Sequence, residues 1–229
     1  MKIIFVRHGQ PDYVNDCLTE LGHKQAEAAA MRLTDYGIER IYSSTNGRAL
    51  QTAAHTADRI GQEIVRCDFM REITWGPSDD APVLADGQPW DVGAILVSEG
   101  KSLLSRNWEN EEPLCHSALV QSVDAVRRGF DAWLSALGYQ REGEYYRVMR
   151  EDTYKAVAMF SHGGSSSVAM SHMLNVPFLQ FCRAFMMHFT SITEISLSGK
   201  VGELIYPRML IFNDAAHTSE LYAKNVFGR

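Results

Sequence analysis

K-I-I-F-V-R-H-G, residues 2–9, is the stretch on which the fold turns. Lys2–Val6 is a short apolar run rich in β-branched residues, which predicts a buried strand. Arg7, His8 and Gly9 follow it directly. In open α/β sheets, ligands bind just past the carboxyl ends of the strands. Other apolar runs of the chain should then also end in polar, chemically capable residues.

Outward from that stretch, strands and helices alternate. Thr19 reads as a helix N-cap, and Gln25–Tyr36 is alanine-rich with apolar positions at helical spacing, closed by Gly37. Glu39–Ser43 predicts a second strand, and a helix follows from Asn46 to Ile60, closed by Gly61. Glu63–Cys67 predicts a third strand. Ser117–Leu137 is a long amphipathic helix, with Val120, Val123, Val126, Phe130, Trp133, Leu134 and Leu137 at three- and four-residue steps. Lys155–Phe160 predicts a strand, Gly164–Leu174 a helix, and Ser191–Leu197 and Glu203–Phe212 two last strands. Such alternation predicts an α/β fold with a mostly parallel sheet.

Length and composition bound the rest. The 229 residues allow one domain, or one with a large insertion. Hydrophobic residues make up 45% and charged residues 22%, an ordinary globular balance. Cys17, Cys67, Cys115 and Cys182 lie far apart with no C-x-x-C pair, which argues against a zinc site, a redox motif or a disulfide scaffold. No apolar run approaches the roughly 18–20 residues of a membrane span. Met1–Val6 is too short for a signal peptide, so a soluble, cytoplasmic protein without membrane contact is expected. A net charge of −6 makes a nucleic-acid partner a poor reading.

From Gly76 to Pro113, proline, glycine and acids accumulate, as in an insertion of loops and short helices. Between Ile73 and Pro113 eight acids (Asp79, Asp80, Asp86, Asp91, Glu99, Glu109, Glu111, Glu112) face only Lys101 and Arg106. The segment carries the whole net charge, and a solvated surface is the default reading of such a run.

Four strand ends carry chemistry. Arg7, His8 and Gly9 follow the first strand; Arg48 opens a helix after the second; Arg71 and Glu72 follow the third; Ser161, His162, Gly163 and Gly164 follow the fourth. Arginine offers a planar fork of donors that matches phosphate oxygens. Gly163 and Gly164 let an anion approach a helix N-terminus closely. Histidine can form a covalent intermediate, and a carboxyl group can protonate a leaving oxygen and then accept a proton from water. Each piece alone is weak; type, order and position together point to phosphoryl transfer.

The chain resembles the histidine phosphatase superfamily, the phosphoglycerate mutase-like family. The resemblance rests on R-H-G at Arg7–Gly9, L-T-E-L-G-H-K-Q-A at Leu18–Ala26, Y-S-S-T-N-G-R-A-L-Q-T-A at Tyr42–Ala53, R-E at Arg71–Glu72, S-H-G-G at Ser161–Gly164 and F-N-D-A-A-H at Phe212–His217. Gln10 follows R-H-G, unlike the x-R-x-P of the acid phosphatase and phytase branch, so the likeness is to the compact intracellular branch. It implies a three-layer α/β sandwich with helices on both faces of the sheet, a single domain over residues 1–229 and an inserted acidic cap over 73–113. It also implies His8 as the nucleophile that becomes phosphohistidine and Glu72 as proton donor. Arg7, Arg48, His162, Gly163 and Asn15 would hold the phosphate, although Gln10–Pro11–Asp12 replaces the usual acidic-threonine run. Family members need no metal or other cofactor for this chemistry.

Candidates for the substrate pocket are Gln10, Trp75, Trp108 and, by analogy, His188; Tyr13 and Trp90 are further aromatics that can wall a cleft. His23, His55, His116, His172 and His217 read as surface, packing or capping residues. Three functions compete: a phosphomonoesterase, a phosphoglycerate mutase-type phosphoryl transferase, and a phosphate-binding or interaction module without catalysis. An acidic cap over the site disfavours polyanionic ligands, and no long tail follows Asn213–Asp214. A phosphatase is therefore expected, with a leaving group that is neutral, cationic or aromatic. Its partner is a small phosphorylated substrate, with a phosphoprotein left open; a homodimer also stays open.

Overall fold

A computed structural model describes residues 1–78 and 83–219. In chain order the strands and helices are β1 (Lys2–Arg7), β2 (Pro11–Asp12), β3 (Cys17–Leu18), α1 (Glu20–Leu33), β4 (Ile38–Ser43), α2 (Gly47–Ile60), β5 (Ile64–Arg66), α3 (Pro89–Ser98), α4 (Ala118–Ala136), β6 (Tyr139–Glu142), β7 (Tyr145–Val148), β8 (Ala156–Ser161), α5 (Gly163–Met173), α6 (Phe178–Ala184), β9 (Ile192–Ser196), β10 (Leu204–Ile205) and β11 (Arg208–Asp214).

Six strands form the central sheet in the order β11-β9-β1-β8-β4-β5. β1, β8, β4 and β5 run parallel, and β9 and β11 extend the sheet antiparallel. Strand side chains alternate between faces. Ile4, Val6, Ile41, Ala158 and Phe160 pack under α1 and α2 against Leu33, Ala53 and Ala57. Ile3, Phe5, Val157, Met159 and Ile195 pack on the other face against Val126 and Phe130 of α4 and Val168 of α5. Covering both faces explains why β1 and β8 read as continuous apolar runs.

Local chemistry sets the helix ends. Thr19 Oγ accepts from Gly22 N at 3.0 Å and Ser117 Oγ from Leu119 N at 3.1 Å, the two side-chain caps of α1 and α4. Gly37 and Gly61 take left-handed conformations after the helical segments they close. The first helix begins at Glu20, directly after the expected N-cap Thr19, and its last turn tightens into a 3-10 helix over Thr34–Tyr36.

One strand expectation is corrected. Glu203–Phe212 is two strands, not one: β10 joins β7 and β6 in a separate three-stranded sheet, while β11 pairs with β9. Pro207 lies between them and has no N–H to donate to a ladder. The β6–β7 hairpin and α6 were absent from the sequence reading. Among the described residues no helix is long and apolar enough to cross a membrane.

Register builds the functional edge. Arg7 lies opposite Ser161, and Ser43 opposite Phe160. The residues that leave these strands are therefore neighbours, and the backbone ties them together: His8 N donates to Ser161 O at 2.9 Å, and Ser44 N to Phe160 O at 2.8 Å.

Candidate active site

His8 stands at the centre of that edge and is 1% exposed. Its Nδ1 lies 2.7 Å from Gly9 O. A carbonyl only accepts, so Nδ1 carries the proton and Nε2 keeps its lone pair. Arg48 Nε approaches that Nε2 at 3.4 Å. Burial, then the charges of Arg7 and Arg48, push His8 down to about 3, against a hydrogen bond to Gly9 that opposes the shift. His8 is thus neutral at ordinary pH. Gly9 is required by a close approach: a Cβ there would stand 2.5 Å from Gly22 O of α1.

Two arginines flank it. Arg7 Nη1 donates to Met187 O at 2.5 Å, and its guanidinium lies 4.3 Å from the centre of the Phe189 ring. Arg48 sits in the first turn of α2 and ion-pairs through Nη1 with Asp16 Oδ1. Asp16 Oδ2 also accepts from Gly47 N at 2.8 Å and Asn46 Nδ2 at 3.2 Å, so one carboxylate holds both the helix end and the arginine. These hydrogen bonds and the Arg48 charge outweigh burial and hold Asp16 below its ordinary value.

His162 is the N-cap residue of α5, with its ring 5.1 Å from that of His8. Its Nε2 lies 2.8 Å from Ser44 Oγ, and its Nδ1 is buried without a hydrogen-bond partner. Burial, then His8 and Arg48, drive it well below the ordinary histidine value.

Glu72 comes from the turn after β5. Its Oε1 accepts from Ser165 N at 3.0 Å and Ile73 N at 3.1 Å. Both bonds favour the carboxylate, yet burial dominates and raises its pKa. Gly164 makes room for it: a Cβ there would meet Ile73 Cγ1 at 2.4 Å and Glu72 Oε1 at 2.6 Å. Gly164→Ala is therefore expected to push the carboxyl group aside. It should lower kcat about 10²-fold and cost about 1–3 kcal/mol of stability, read by steady-state kinetics and thermal melting. Wild-type kcat in this variant would show that the placement of Glu72 does not matter.

Part of this cluster opens into a cavity of about 560 Å³, which the buried His8 and His162 do not themselves line. Arg7, Arg48, Glu72 and Gly163 line it together with Tyr13, Trp75, Gln88, Trp90, Ser167, Met186 and Met187. A second cavity, of about 80 Å³, lies elsewhere against Trp108, Arg106 and Arg127.

The core of the predicted constellation is brought together: Arg7, His8, Arg48, Glu72, His162 and Gly163. Trp75 lines the cavity as expected. Four other candidates do not line it. Trp108 is 1% exposed and packs 5.5 Å from the Phe178 ring, because the whole indole is needed to fill the core. Asn15 is exposed and donates to Asp12 Oδ2 at 2.7 Å; it is the next residue, Asp16, that reaches Arg48. Gln10 Oε1 accepts from Thr19 Oγ at 2.9 Å, which fastens the loop to the start of α1. His188 is exposed, with its backbone N on Asn213 Oδ1 at 2.7 Å, and its neighbours Met186 and Met187 line the cavity instead.

The expected acidic lining over the site is not formed by the described acids. Asp79 and Asp80 lie outside the described residues. Of the described acids between Ile73 and Pro113, none lines the cavity. Asp86, Asp91, Glu111 and Glu112 are exposed, while Glu99 pairs with Lys101 and Glu109 with Arg127. The segment puts Trp75, Gln88 and Trp90 on the cavity wall, and its described acids lie elsewhere.

Asp16, Ser44, Gln88, Met186 and Met187 were missed by sequence reasoning. Ser44 lies inside the Y-S-S-T-N run, a signal that was available; the others are set by loop conformation.

Comparison with known proteins agrees with this geometry. Residues 3–92 match the family described as histidine phosphatase superfamily (branch 1). The chain is 33% identical over 112 residues to a probable phosphoglycerate mutase, GpmB, of Yersinia pestis, covering 44% of this chain. The chain spans about half the length of the curated relatives it matches (52%). A mycobacterial glucosyl-3-phosphoglycerate phosphatase solved with inorganic phosphate is similar over 95% of this chain and 99% of its own, with 26% identity and a TM-score of 0.63. A phosphoserine phosphatase of Entamoeba histolytica, solved with 3-phosphoglyceric acid, shares the fold at 20% identity and a TM-score of 0.60 over 94% of this chain and 98% of its own.

Proposed function

We propose that the chain, whose residues 3–92 match the histidine phosphatase superfamily (branch 1), is a member of that superfamily and a phosphomonoesterase working through a phosphohistidine on His8. The observation that carries this reading is the state of His8, a buried, neutral imidazole with Nδ1 tied to Gly9 O and Nε2 facing Arg48. In the first step the Nε2 lone pair attacks phosphorus and the ester P–O bond breaks. The leaving oxygen takes the proton held by Glu72, whose acid form burial favours. In the second step the Glu72 carboxylate takes a proton from water as the hydroxide oxygen attacks the phosphohistidine. Inorganic phosphate leaves and His8 Nε2 is restored.

Arg7, Arg48, the buried Nδ1 of His162 and the N-terminus of α5 at Gly163 are the groups assigned to the phosphoryl oxygens. Their positive charge does the work for which other phosphatases recruit a metal ion, so the reaction is proposed to be metal-independent. Trp75, Gln88 and Trp90, the described residues of 73–113 that line the cavity, are assigned the role of a cap over the site. A phosphate-binding module without turnover has no need of a carboxyl group with a raised pKa in the same cluster as a neutral histidine.

The test is hydrolysis of p-nitrophenyl phosphate in excess EDTA. Full activity after chelation is expected. Loss of activity that a divalent ion restores would overturn metal independence. Isomerisation of phosphoglycerate faster than its hydrolysis would overturn the phosphatase in favour of a mutase.

A further inference from the structure

Beside Arg7, Arg48, Glu72 and Gly163, which gather around the phosphate position, the lining of the large cavity includes Trp75, Trp90, Gln88, Met186 and Met187. The two indoles meet edge to face, with centroids 6.2 Å apart and planes at 88°, and so form a right-angled aromatic corner. That corner adjoins the phosphate end: a Cβ on Gly163 would stand 3.7 Å from Arg7 Cζ and 3.8 Å from Trp90 Cζ2. Trp75 is 38% exposed and Met186 66% exposed at the same site. Large apolar side chains left in water around one concavity mark a binding surface.

Charge decides what the corner takes. Among the described lining residues the cations are Arg7 and Arg48. Both stand at the phosphate end, and Arg48 is shared with Asp16. The indoles, the thioethers and Gln88 are neutral. A second carboxylate or phosphate on the leaving group would give up water there without meeting a counter-charge. A flat ring would instead gain stacked or edge contacts with the indoles and contacts with methionine sulfur.

We infer that the Trp75–Trp90 corner is a leaving-group subsite for an aromatic ring, and that the preferred substrates are aryl or arylalkyl phosphate monoesters carrying no second anion. This deepens the phosphatase reading and rests on it.

Benzyl phosphate, ethyl phosphate and 3-phosphoglycerate are all alkyl esters, so comparing them keeps the reactivity of the leaving group similar. The kcat/KM of benzyl phosphate should exceed each of the others by about tenfold or more. In Trp75→Ala and in Trp90→Ala the benzyl-to-ethyl ratio should fall toward one; Trp75 is the more exposed of the two and so the safer for folding. Equal values for benzyl and ethyl phosphate, a preference for 3-phosphoglycerate, or an unchanged ratio in both variants overturns the subsite. Phosphonates, which cannot be hydrolysed, separate the two readings. By calorimetry, benzylphosphonate should bind about tenfold tighter than methylphosphonate, and Trp75→Ala should remove that advantage. Such binding with no ester turned over keeps the subsite and overturns the phosphatase; ester turnover with no benzyl preference overturns the subsite alone.

Discussion

His8→Ala is expected to lower kcat for phosphate-ester hydrolysis by about 10⁴-fold or more, the scale seen when a covalent nucleophile is removed. No other described group can replace it. His162 is the nearest imidazole, but its Nε2 is bonded to Ser44 and its ring stands 5.1 Å away. Water in the space left by His8 would lack a general base beside it, because Glu72 is already assigned to the leaving oxygen. The variant should still bind inorganic phosphate, since Arg7, Arg48 and the start of α5 remain. Kinetics, phosphate calorimetry and a thermal melt together check this. Loss of phosphate binding along with activity would mean that the site had collapsed. More than a tenth of wild-type kcat in a folded variant would contradict the nucleophile.

Glu72→Gln should show its role through the leaving group. Esters of poorly acidic alcohols, such as ethyl phosphate, need a proton as the P–O bond breaks and should lose about 10²–10⁴-fold. p-Nitrophenolate leaves without one, so the first turnover of p-nitrophenyl phosphate should be far less affected. That turnover should appear as a burst, because the variant also lacks the base that activates water for the second step. Equal losses on the first turnover of both esters would argue against the proton donor. The pH profile gives an independent check. The acid form of Glu72 is needed, and burial raises its pKa, so the rate falls as pH rises through that raised value. The base form of His8 is needed, and its pKa is pushed down to about 3, so the opposite limb appears only as pH falls toward that value. Glu72→Gln should abolish the upper limb and leave the lower one.

Arg7, His8 and His162 of the candidate site are legible because they sit at or directly past the ends of strands. The registers of β1, β8 and β4 place Arg7, His8, His162 and Ser44 side by side once those runs are read as parallel strands. Loops carry no such periodicity, and there the structure departs from the sequence expectation. Asn15 and Asp16 are adjacent in sequence, but Asp16 adopts a left-handed backbone conformation (φ 48°) and is the one that turns toward Arg48. His188 and Met187 differ in the same way. Trp108 and Trp90 were equivalent as sequence; only packing buries one against Phe178 and leaves the other on the cavity wall. The acids between Ile73 and Pro113 can be counted in the sequence, but a count carries no direction, and none of the described ones lines the cavity.

The most direct measurement is to trap the intermediate. Wild-type protein mixed with substrate carrying a labelled phosphoryl group, and quenched in base within one turnover, should hold an acid-labile, base-stable label on the peptide containing His8. The label should be absent from His8→Ala and should persist longer in Glu72→Gln. Rapid hydrolysis with no label on His8 at any time, or a label on another residue, would contradict the mechanism.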